Sequence, residues 1–230
     1  MKNKAQIAIF SVFVALFFNA CALSEPEIYD YSALQQAKPR SILVLMPSNE
    51  TTEVDAGAAV LVHDIVKKIE GDLEYPGQIK ATVIVHETFK NNGIYEASEI
   101  QNVSAHKLRQ IFGADAVLYM DVVKYGTSYM LLNSVSVVAV NAKLVDLRSG
   151  ATLWEGSAQV SDDSSRGSND LVGMLISAVI KQIGDTVSDA GYKLSASADA
   201  MLLGQNCNKC LLYGPYSPHY GQDRQLGGGK

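Results

Sequence analysis

Between Ala116 and Val160 apolar and polar residues alternate in three runs separated by turn residues, a pattern that requires antiparallel strands with one covered face. In the first run Leu118, Met120 and Val122 fall on one side, and Tyr119, Asp121, Val123, Tyr125 and Tyr129 on the other. Leu132-Asn133-Ser134 turns the chain, and the second run, to Leu147, sets Val138, Val140, Ala142 and Leu144 on one side. Asp146-Leu-Arg-Ser-Gly150 is turn chemistry, with a glycine that permits positive φ. The third run, from Ala151, carries the only tryptophan, Trp154, which the pattern buries beside the return strand.

Upstream, Ser41 to Met46 is a continuous apolar run closed by Pro47, the mark of a strand buried on both faces. Asp55 caps a helix on which Ala58, Val62, Ile65, Val66, Ile69 and Leu73 recur at helical spacing. Pro76-Gly77 breaks the chain, and the β-branched stretch Ala81 to Val85 predicts a second strand. Ser104 caps a helix over Ala105 to Phe112 that Gly113 stops, and the longest helix is expected from Leu171 to about Tyr192. Strand-helix units followed by a three-strand meander and a helix give an α/β fold: a single-domain sandwich over 41–194, its mixed sheet of about five strands covered by helices. Residues 195–230 form a C-terminal extension of helix and loop with a flexible end.

The last helix is apolar over more than one stripe, since every residue from Leu171 to Ile180 except Gly173 and Ser177 is apolar. In a domain this small that favours an oligomer interface over pure core, with Leu171, Leu175, Val179 and Ile183 at a dimer contact.

The N-terminus reads as a leader. Lys2 and Lys4 precede an apolar stretch from Ile7 to Phe18 broken only by Ser11, shorter than the roughly 20 residues needed to span a bilayer. Phe18-Asn19-Ala20-Cys21 resembles the bacterial lipobox, departing from it at Phe18 and Asn19. Residues 1–20 are then a lipoprotein signal peptide, Cys21 the lipidated mature N-terminus, and 21–40 a tether. Ala22 and Leu23, with no Asp after the cysteine, resemble lipoproteins sorted to the outer membrane. The resemblance implies a lipid anchor on its periplasmic face, with surface exposure as the alternative.

Removing the two leader lysines from a net charge of −5 leaves −7, and no basic run occurs, so nucleic acid is not an expected partner. Cys207 and Cys210 form C-x-x-C in an exported chain; a small structural disulfide or free thiols outweigh redox or metal chemistry, because no strand-helix context or second ligand pair accompanies them. Ser104-Ala-His-Lys107 matches S-x-x-K, but its Lys-Thr-Gly companion is missing and Ser104 serves as a helix cap. His63, His86, His106 and His219 are scattered. No catalytic set, metal site or cofactor is expected. The one ligand-binding candidate is the strand face of Tyr119, Asp121, Tyr125 and Tyr129, where a carboxylate could accept tyrosine hydroxyls.

Gly113-Ala-Asp-Ala-Val-Leu-Tyr119 and Leu144-Val-Asp-Leu-Arg-Ser-Gly150-Ala-Thr-Leu-Trp154 resemble the sandwich domain of curli-secretion-type outer-membrane lipoproteins, of lipoprotein activators of peptidoglycan synthases, and of the TolB N-terminal domain. With the tail Leu211-Leu-Tyr-Gly-Pro-Tyr-Ser-Pro-His219-Tyr-Gly-Gln-Asp223, the whole mature chain resembles a family of bacterial lipoproteins of unknown function that includes a meningococcal surface-antigen lipoprotein. That resemblance implies a homodimer and a curli-secretion-type lipoprotein as partner. The expected role is a non-enzymatic interaction or assembly module in envelope export or biogenesis; the alternative is a periplasmic binding module for a small ligand or glycan.

Overall fold

The computed structural model describes residues 29–53, 56–62, 82–129, 134–162, 190–204 and 209–226. Within them lie α1 (Ser32–Ala37), β1 (Ile42–Val44), β2 (Ser48–Asn49), α2 (Ala56–Val62), α3 (Thr82–Lys90), α4 (Ala97–Gln101) and α5 (Ala105–Phe112). The meander β3 (Ala116–Tyr129), β4 (Ser134–Asp146) and β5 (Thr152–Ser161) follows, then α6 (Ala190–Leu203). The sheet runs β1-β3-β4-β5, with β2 also alongside β3. β1 and β2 are parallel to β3, and the meander is antiparallel, so the sheet is mixed as its sequence pattern implies.

Helices cover both faces. Ile42, Val44, Leu118, Met120, Val140, Leu144 and Trp154 face α1, α2 and α6 through Leu34, Val60, Leu194, Ala198 and Leu202. Leu43, Leu45, Val117 and Val145 face the other way, onto Val85, Phe89, Ile100 and Leu108 of α3, α4 and α5. β1 is buried on both sides because consecutive residues serve the two cores in turn. Gln101 joins the segment between β1 and β2 to β3 by donating to the Met46 and Met120 carbonyl oxygens, at 3.1 and 2.8 Å.

Four expectations change. The strand anticipated at Ala81–Val85 is the helix α3 from Thr82; the fifth strand is β2 instead. Val85 and Phe89 lie one helical turn apart, so a helix buries both and stacks Phe89 at 5.8 Å from Phe112, leaving Ile84 62% exposed. That packing overrides β-branched preference.

Secondly, the alternation of β3 does not persist along its length. Val122 pairs with Val140 and Lys124 with Ala139, which leaves Val123 as a bulge and reverses the faces beyond it. Tyr119 packs on the second core, whereas Tyr125 packs on the first.

Thirdly, residues 29–40 are not a free tether: α1 is bound to the domain by buried Tyr31 and Leu34. Fourthly, α6 runs through the boundary expected at 194, and its residues 195–203 belong to the core because Leu194, Ala198 and Leu202 recur every four residues. The tail continues as ordered turns to a 3-10 turn at Arg224–Leu226. The rest of the helix expected from Ala58 to Leu73, beyond Val62, and most of Leu171–Tyr192 lie outside the described residues.

Candidate binding cavity

The tail is held to the sheet and to α1 by three long-range contacts. Trp154, fully buried, donates from Nε1 to the Lys209 carbonyl oxygen at 2.6 Å. Tyr31 donates from its hydroxyl to the Cys210 carbonyl oxygen at 2.7 Å, and Leu211 and Leu212 bury in the first core. Beyond them the sequence Gly-Pro-Tyr-Ser-Pro folds into successive turns: the Ser217 amide donates to Gly214, Tyr220 to Ser217 and Gln222 to His219, at 3.0, 3.1 and 2.9 Å. Gly221 adopts φ +74° at the end of this series. Asp223 then closes the loop by accepting the Tyr213 amide on Oδ1 at 2.8 Å.

Between this loop and α1 lies a cavity of about 310 Å³ whose walls include Leu34, Lys38, Leu212, Tyr213, Tyr220 and Asp223. Lys38 stands at the end of α1 in the left-handed conformation, φ 46°, its amide donating to the Leu34 carbonyl oxygen at 3.0 Å. Asp223 is only 2% exposed, and its Oδ2 has no hydrogen-bond partner. Burial pushes its carboxyl above the usual range, against the opposing Tyr213 amide. Burial, with Tyr29 and Asp223 nearby, likewise drives the Tyr31 phenol well above its ordinary value. Of the lining residues, Tyr220 is 43% exposed and Tyr213 lies against His219 with ring centroids 5.4 Å apart; elsewhere in the same loop the Tyr216 hydroxyl accepts from Arg40 Nε at 3.0 Å.

The residues singled out from sequence are dispersed. Tyr119 is half-buried under Lys143, whose ammonium is 5.9 Å from the ring centroid, and burial raises its phenol. Asp121 accepts the Ser48 hydroxyl. Tyr125 is on the opposite face, its ring against Gly191, so the two tyrosines do not converge; Tyr129 ends β3. Cys210 is buried and disulfide-bonded, while Cys207, Cys21, Leu171, Leu175, Val179 and Ile183 lie outside the described residues. Ser104 caps α5, accepting the Lys107 amide at 3.4 Å. Among the described residues no His, Cys, Asp or Glu cluster is placed to hold a metal. Sequence reasoning missed Tyr31, Lys38 and Asp223. The available signal was the tail itself, whose turn residues and terminal Asp make a loop that needs closing.

The family model described as "Putative lipoprotein GNA1162-like" matches residues 29–216. The chain is 39% identical over 208 residues to "Putative lipoprotein NMB1124/NMB1162" of Neisseria meningitidis serogroup B, covering 90% of this chain and 94% of that protein. It is similar to the crystal structure of lipoprotein GNA1162 from Neisseria meningitidis, with 43% identity and TM-score 0.51 over 62% of this chain and 96% of that one. A third likeness is to the PelC dodecamer from Paraburkholderia phytofirmans, 14% identical with TM-score 0.45 over 76% and 90% of the two chains.

Proposed function

The chain belongs to the GNA1162-like lipoprotein family, and on that premise we propose that it is a lipoprotein anchored through Cys21 to the periplasmic face of the outer membrane. There it acts without catalysis, as a dimeric interaction module in envelope export or biogenesis. The observation that carries this reading is the early docking of the chain after Cys21. Tyr29 accepts the Glu155 amide at 2.8 Å, and Tyr31 and Leu34 are buried, so the chain is docked on the sheet by Tyr29, eight positions after Cys21. The seven residues between them can span no more than about 25 Å, which keeps α1 close to the headgroups. Leu171, Leu175, Val179 and Ile183 are the proposed dimer contact, a curli-secretion-type lipoprotein the proposed partner, and Cys207 the proposed disulfide partner of Cys210.

Envelope fractionation tests the anchor. Wild type is expected with the outer membrane and Cys21→Ser outside it; equal recovery of both in that fraction would overturn the reading. The cavity favours a second reading, a small-ligand binding module. The tyrosine face of Tyr119, Asp121, Tyr125 and Tyr129 gives way to the tail cavity as its site, because the bulge at Val123 separates Tyr119 from Tyr125.

A further inference from the structure

We propose that the tail cavity binds a primary ammonium group carried on a short apolar body, with Asp223 as its counter-ion. This deepens the small-ligand reading and rests on it. Asp223 lines the cavity, is almost fully buried, and leaves one oxygen unserved after the Tyr213 amide takes the other. A buried carboxylate without a second donor is costly, and a charged N–H donor relieves that cost better than a neutral one. An anion would meet the same carboxylate and be repelled.

The walls fit the rest of such a ligand. Leu34, Leu212 and Leu226 offer apolar surface to a few methylenes, and Tyr213 and Tyr220 add aromatic surface that attracts a cation. At about 310 Å³ the space lies at the lower end for small-ligand sites, so it suits a short amine and not a glycan chain. Lys38, exposed at the rim, complements an anionic group a few atoms from the ammonium. Two sources share this chemistry: a soluble amine, and the headgroup of an ethanolamine phospholipid in the adjacent membrane.

The test is calorimetric titration of the full chain, held in phosphatidylcholine nanodiscs, with n-butylammonium and with neutral n-butyramide. Saturable ammonium binding is expected, weakened roughly ten- to hundredfold in Asp223→Asn, which keeps an acceptor for the Tyr213 amide. Gln35→Trp, at an exposed position of α1 on the cavity wall, is expected to abolish binding without touching the carboxylate.

Ammonium binding that is absent from wild type, or undiminished in either variant, overturns the proposal. Saturation by butyramide alone, lost in Gln35→Trp, overturns the ammonium assignment while the binding reading survives; saturation by neither probe removes both. Nanodiscs containing phosphatidylethanolamine separate the sources. A lower apparent amine affinity there assigns the lipid headgroup, and an unchanged affinity assigns a soluble amine.

Discussion

The Tyr31 hydroxyl donates to the Cys210 carbonyl oxygen across 179 residues of sequence, tying the start of α1 to the tail that walls the cavity. Tyr31→Phe removes that bond and the hydroxyl's side-chain contact with Gln225, while the ring stays buried and Cys210 keeps a 3.4 Å contact from Gln225 Nε2. A loss of about 1 kcal/mol is expected in urea unfolding, with faster proteolysis of the tail.

Gly156 faces the Trp154 ring: a Cβ there would stand 2.4 Å from Trp154 Cζ2 and 3.1 Å from Leu202 Cδ1. Trp154 is fully buried and held by Lys209, so it has no room to yield. Gly156→Ala should cost about 1–3 kcal/mol or more by overpacking. Gly150→Ala meets open space at φ +75°, and its cost is limited to backbone strain of about 1 kcal/mol. Thermal unfolding of the two variants checks the order.

Two carboxylates should give stability slopes of opposite sign in acid. Asp223 is raised by burial, beside Tyr31 and near Lys38, so it favours the folded state fully when protonated. That contribution is present below the unfolded value of 3.8 and is lost as pH rises through the raised one. Burial also acts to raise Asp146, but hydrogen bonds from Ser149 and Arg148 outweigh it and the net shift is downward. Its contribution is present above the ordinary value and lost as pH falls through the lowered one. Denaturant midpoints across the acidic range should therefore lose the rising-pH decline in Asp223→Asn and flatten on the acid side in Asp146→Asn.

Ser104 caps α5 through the Lys107 amide. Ser104→Ala is expected to cost about 1 kcal/mol of stability and to leave membrane anchoring and amine binding unchanged. A stable variant that lost amine binding would contradict the assignment.

Local rules made part of this fold legible. Ser104 and Gly113 bracket α5 because both ends satisfy their own backbone groups, and Gly150 with Trp154 marks the β4–β5 hairpin. The helix at Thr82–Lys90 was hidden because its β-branched residues favour a strand, and only the pairing of Val85 with Phe89 in the second core decides otherwise. The bulge at Val123 carries no turn residue, so strict alternation wrongly placed Tyr125 beside Tyr119. The cavity was hidden for another reason: Asp223 and Lys38 are 185 positions apart, and nothing local ties the tail to α1.

The proposed lipidation of Cys21 decides whether these parts work at a membrane surface, and mass spectrometry of the mature N-terminus measures it directly. A chain that begins at Cys21, with a diacylglyceryl thioether and an acylated amine, is the expected result. An unmodified Cys21, or a chain retaining residues 1–20, would contradict it.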